Sequence, residues 1–157
     1  MQEIAVPQIF EFLKTHNELG YAMGNRMSER LEQEHNLQLK DLIIAREIHM
    51  GAKYPSEIAQ KLRMPRDMVS RSIERLVQIG SISREIDPQD SRRTILSINP
   101  GGEERRKQVQ QTLATAMQPV VESLNPEELF TLTSLMRKML EAMYQQEGNK
   151  EKPCPTR

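Results

Sequence analysis

Between positions 65 and 98 the spacing of apolar residues changes from helical to strand-like, and any fold must honour both patterns. In PRDMVSRSIERLVQIG, Val69, Ile73 and Leu76 recur at helical intervals and define one buried side. Pro65 suits the first turn of this helix, and Gly80 suits a left-handed cap at its end. Arg66, Asp67, Ser70, Arg71, Glu74 and Arg75 are left facing outward. Apolar positions then alternate, at Ile82 and Ile86 in one run and at Leu96 and Ile98 in the next, as in the strands of a half-buried hairpin. The segment between the runs, Asp87 to Arg93, reads as a loop crowded with charge. Upstream, PSEIAQKL opens on Pro55 and Ser56 and makes a short helical face of Ile58, Ala59 and Leu62.

The flanks are helical. Ile9 to Leu31 carries an apolar stripe through Phe12, Leu13, Leu19, Met23 and Met27, interrupted by Gly20 and Gly24. Glycine weakens a helix, and close approach of another helix is a reason to keep it. LKDLIIAREIH, residues 39–49, reads as a buried helix ended by Gly51. Asn99-Pro100 and Asn125-Pro126 each place a capping side chain before a first-turn proline, so two more helices begin there. Pro119 should kink the first of them. In the second, Leu129, Leu132, Met136, Met139 and Met143 alternate spacings of three and four, the seam of a helix-to-helix contact. The fold class is therefore mainly α with a small β-hairpin. Residues 1–36 are expected to form an N-terminal helix, 37–99 a helical lobe ending in the hairpin, 100–147 the C-terminal helices and 148–157 a mobile tail.

A chain of 157 residues, 37% of them hydrophobic, can bury a core. No run approaches the roughly 18 apolar residues of a membrane helix, and MQEIAVPQIF lacks the features of a signal peptide, so the expected location is cytoplasmic. The single cysteine, Cys154, cannot form an internal disulfide. Net charge is zero but unevenly spread. Lys61 to Arg93 holds eight basic residues against five acidic ones, whereas Glu122 to Glu147 holds five glutamates against Arg137 and Lys138. No phosphate-cradling glycine loop or metal-spaced His/Cys cluster is present, and His16, His35 and His49 have no nucleophile partner. The chain is expected to be neither an enzyme nor a cofactor protein.

A short helix, a tight turn and a second helix with an outward row of arginine and serine is the arrangement that lays its second helix in the major groove of duplex DNA. Arginine can donate twice to a guanine edge, and serine can address a base or a phosphate. Alone, such a row marks only the solvated face of a surface helix. The hairpin directly after it makes a winged helix, with the tip as a probe for DNA backbone or minor groove. Ser56, Arg66, Asp67, Ser70, Arg71 and Arg75 are the candidates on the helices, and Arg84, Arg92 and Arg93 those on the wing. Asp87 and Asp90 are expected to hold a wing arginine extended by pairing with it across the loop. The rival reading is a winged helix that binds another protein and not DNA.

The stretch IAQKLRMPRDMVSRSIERLVQIGSISREIDPQDSRRTILSINPGG resembles the DNA-binding core of the MarR family of bacterial regulators. The resemblance rests on Val69-Ser70-Arg71, the step Gly80-Ser81-Ile82, the Asp87 to Arg92 wing tip and Pro100-Gly101-Gly102. It implies a homodimer with interleaved terminal helices, with Gly20, Leu129, Leu132, Met136, Met139 and Met143 at the interface. It further implies binding to a pseudo-palindromic operator, as a repressor more readily than an activator. Many such regulators are released by a small phenolic or other organic acid. His16, Tyr21, Arg46 and His49 are the candidates to meet one here, though each reads equally as a surface or interface residue. The chain departs from the family at Arg63 and Pro65, where glycine and a hydroxyl cap are common, and at Asp67, where a small hydroxyl residue is common.

Overall fold

A computed structural model of the chain describes residues 4–146, so Cys154 and the 148–157 tail lie outside the described residues. Six helices and one two-stranded antiparallel sheet follow in the order α1 (Val6–His35), α2 (Leu39–His49), α3 (Pro55–Leu62), α4 (Arg66–Gln78), β1 (Ile82–Asp87), β2 (Asp90–Ile98), α5 (Gly102–Val121) and α6 (Pro126–Gln146). The chain divides into two compact units, Met1–Met117 and Gln118–Arg157. No described helix is long and apolar enough to cross a membrane.

In the first unit the core forms where α2, α3 and α4 converge. Ile44, Ile58, Val69 and Ile73 are fully buried, and Leu31 from the end of α1 joins them. Each such side chain contributes about 1.5–3 kcal/mol of burial. The hairpin root closes this core with Ile82 and Leu96. The rest of α1 stands outside it: Leu31 is its one buried residue, and Phe10, Leu13 and Leu19 remain exposed. No other part of the described chain comes within 4 Å of a Cβ built on Gly20 or Gly24.

Three local expectations are corrected. Pro65 is the residue before α4, not in its first turn; its ψ of 139° is extended, and the helix begins at Arg66. The wing loop is far shorter than Asp87 to Arg93, since β2 already starts at Asp90 and leaves Pro88 and Gln89 between the strands. Asn99 does not cap α5. Its side-chain amide instead donates to the Gly80 carbonyl at 3.1 Å, and the helix begins at Gly102. Asn125 does cap α6: its Oδ1 accepts from the Glu127 and Glu128 N–H groups, both at 3.0 Å, and Glu128 reaches back to the Asn125 N–H at 2.9 Å. Pro119 stands inside α5.

Gly80 has a φ of +72° and Gly51 a φ of +102°, the left-handed turns expected of them. Arg63, where the family favours glycine, takes a φ of +51° at the end of α3. At Gly102 the constraint is space, because a Cβ there would run into the Ser81 carbonyl oxygen. Gly102→Ala is therefore expected to cost at least about 2 kcal/mol, as an overpacked site against rigid backbone does, read as a lowered urea midpoint. An unchanged midpoint would show that the α5 start can move away from the β1 turn.

Candidate nucleic-acid interface

The exposed side of α4 follows from its buried one. With Val69, Ile73 and Leu76 turned into the core, Arg66, Asp67, Ser70, Arg71 and Glu74 are exposed. Asp67 Oδ2 and Arg71 Nη2 pair at 3.3 Å across one turn, with both side chains about two-thirds in water, where such a pair contributes little. Arg71 can therefore exchange that partner for an anion at small cost. Ser56 is exposed at the start of α3.

Arg75 is placed differently from the outward row expected of it. Its Nε and Nη2 donate to both oxygens of Asp41 on α2, at 2.9 and 2.7 Å. Asp41 is fully buried and also accepts from the Gln38 N–H at 2.8 Å, so one carboxylate closes the start of α2 and clamps α4 to it. Burial pushes the Asp41 carboxyl up, but the hydrogen bonds from Arg75, Ser72 and the Gln38 N–H outweigh it and hold the group below its ordinary value. The same pairing raises Arg75 further. Arg75 orients the helix that carries the row.

On the wing, β1 and β2 pair from Ile82 with Ile98 to Ile86 with Thr94, and a bulge between Ile86 and Asp87 shifts the last pair. Ile86 was expected inside with Ile82 but is 70% exposed, because the hairpin runs past the end of the core. The segment before α3 acts as a third rail, with the Leu96 N–H donating to the Lys53 carbonyl at 2.8 Å. Next to it, the Tyr54 hydroxyl donates to Asp87 Oδ2 at 2.8 Å, and the Arg93 guanidinium lies 3.7 Å from the centre of the Tyr54 ring. Asp87 Oδ1 accepts from the Gln89 N–H at 2.8 Å, and Asp90 Oδ1 from the Arg92 N–H at 3.1 Å. Both aspartates thus organise the tip through backbone N–H groups, not through the arginine pairs expected of them. Hydrogen bonds from Gln89 N–H and Tyr54 hold the Asp87 carboxyl below its ordinary value, and the Asp87 bond raises the Tyr54 hydroxyl. Arg84, Arg92 and Arg93 are all exposed.

Residues 44–94, which hold the end of α2, all of α3, α4 and β1, the wing tip and the start of β2, match the model of the MarR family. Over those residues the chain is similar to the MarR family. Over most of the chain the fold is shared with solved structures. MarR of E. coli in its apo form is 20% identical over 89% of this chain and 99% of its own, with a TM-score of 0.66. A cysteine-to-serine mutant of that MarR, complexed with operator DNA, is 21% identical over 88% of this chain and 99% of its own, with a TM-score of 0.62. The transcriptional regulator BldR from Sulfolobus solfataricus is 17% identical over 90% of this chain and 99% of its own, with a TM-score of 0.69. Among curated proteins no relative is matched.

The remaining candidates lie on α1 and α2. His16 meets the Phe12 ring at 5.9 Å, Tyr21 is exposed, and Arg46 is exposed on α2. His49 Nδ1 lies 3.0 Å from Glu103 Oε1 of α5. No hydrogen bond or ion pair joins any two of these four among the described residues. In the second unit, Leu132, Met136, Met139 and Met143 are all exposed along α6, and Leu129 is half-buried. Sequence reasoning missed Asp41 and Tyr54. An aspartate near the start of the nearly apolar LKDLIIAREIH was a signal for the first; the second left none.

Proposed function

We propose that this chain is a cytoplasmic, homodimeric transcriptional regulator that binds a pseudo-palindromic duplex operator and represses from it. The observation that carries the reading is an exposed set of arginines on two elements of one lobe. Arg66, Ser70 and Arg71 stand on α4 while Arg84, Arg92 and Arg93 stand on a wing fixed at its root and tip. Guanidinium groups on a rigid helix and a rigid hairpin suit groove edges and phosphates. The operator-bound MarR mutant shows that a protein of this fold can take DNA. The exposed α6 seam and the unapproached Gly20 supply the faces of a dimer, whose two recognition helices would read half-sites about 34 Å apart. Release by a small organic acid completes the reading, with Arg46 as an exposed cation for it.

The test is selection from random duplexes by the purified protein, followed by a salt titration on the winner. A pseudo-palindrome should emerge, with affinity falling steeply as salt rises. On that duplex Arg92→Ala is expected to weaken binding by at least about 1 kcal/mol, the size of a charge-assisted contact, without altering the oligomer. No enrichment, with weak binding at every salt concentration, would overturn the reading.

A further inference from the structure

Tyr54 stands one residue before α3 and belongs to no charged run or helical stripe, yet it touches both sides of the wing tip. Its hydroxyl meets Asp87 at 2.8 Å on β1, and its ring carries the Arg93 guanidinium of β2 at 3.7 Å. We infer that Tyr54 is a positioning residue that presents Arg93 to DNA in one orientation while leaving its hydrogen-bonding edge open. The inference rests on the DNA-binding reading above.

A carboxylate would hold an arginine by its N–H edge and neutralise it, and so would compete with a phosphate for the same donors. An aromatic face holds the guanidinium by its plane and leaves the edge donors for another acceptor. Asp87, on which the Arg93 charge acts, is a carboxylate that could compete in this way. Both of its oxygens are occupied, one by the Gln89 N–H and one by the Tyr54 hydroxyl. The tyrosine therefore does two things with two ends: it supports Arg93, and it keeps the adjacent aspartate engaged elsewhere. The hydrogen bond between Lys53 and Leu96 ties the segment that carries Tyr54 to β2. The directions of titration agree, since the Asp87 carboxyl is held ionised and the Tyr54 hydroxyl protonated over the neutral range.

A double-mutant cycle on the selected duplex, labelled with fluorescein and read by anisotropy, tests this. Tyr54→Leu and Arg93→Ala are each expected to weaken binding on the order of fivefold. If Tyr54 acts through Arg93, the double variant binds within about twofold of Arg93→Ala alone. Tyr54→Phe, which keeps the ring, should stay within about threefold of the unaltered protein. Losses that multiply in the double variant, or a Tyr54→Leu protein that binds as the unaltered one does, overturn the inference and leave the DNA-binding reading intact. Absence of duplex binding by the unaltered protein overturns both. Should Tyr54→Leu fail to fold, the Arg93 Nε–H resonance of the unaltered protein, assigned by its loss in Arg93→Ala, decides the matter. A ring-current shift is expected, and an unshifted resonance would overturn the stacking.

Discussion

Asp41→Ala is expected to destabilise the protein by about 3 kcal/mol at neutral pH, the lower end of the range for breaking a buried ion pair. The lower end applies because the Arg75 side chain keeps 23% of its surface exposed and can turn part of its charge to water. Asp41 itself is fully buried, and its loss leaves the Gln38 N–H and two guanidinium N–H groups without an acceptor. Urea unfolding at one fixed protein concentration measures the effect, since an oligomer's apparent stability depends on concentration. A loss below 1 kcal/mol would mean that Arg75 finds another partner and the clamp does little. The pH dependence carries the same mechanism. The folded Asp41 carboxyl titrates below its ordinary value of 3.8, so its stabilisation is fully present above that value. It disappears as pH falls through the depressed folded value. Stability should therefore drop below about pH 4 in the unaltered protein and less steeply in Asp41→Asn. Asp67→Ala is the contrast, because its partner Arg71 is exposed and such pairs change stability little.

Arg71 and Arg75 show how far the sequence could be read. Both fall outside the Val69, Ile73 and Leu76 stripe, and helical period alone gives both an outward position. What separates them is Asp41, on another helix 34 positions earlier, for which no local pattern exists. Buried polar pairs are decided by tertiary approach. The same holds for the wing: alternation correctly put Ile82 and Leu96 inside, but where the core stops is a property of the assembled lobe, and Ile86 lies past that limit. Asn99 and Asn125 look alike in sequence, each an asparagine before proline. Asn125 has only its own helix to bond, whereas the Gly80 carbonyl draws the Asn99 side chain away. Local signals prevailed where no distant group competed.

Met136→Glu is expected to convert a dimer into monomers at micromolar concentration, as read by sedimentation velocity. Leu132, Leu135, Met136, Met139, Leu140 and Met143 are between 42% and 61% exposed on one short helix, and Phe10 and Leu13 are similarly bare on α1. A monomer rarely leaves so much apolar surface on one helix in water. If a second copy covers α6, two-fold symmetry places position 136 of both copies in the same contact, so one substitution buries two carboxylates without a cation between them. Arg137 and Lys138 beside the seam would soften the effect, so Met136→Lys is the matching variant, expected to fail similarly because it buries two further cations next to those already there. An intact dimer in both variants would remove α6 from the interface. The consequence for DNA follows from geometry. A monomer carries one recognition helix and loses the effective concentration that a second one supplies, so operator affinity should fall by at least about a hundredfold. Affinity for a half-site duplex should scarcely change, because α4 and the wing belong to a lobe whose core contains no α6 residue. That separation tells a loss of pairing from a loss of the reading surface itself.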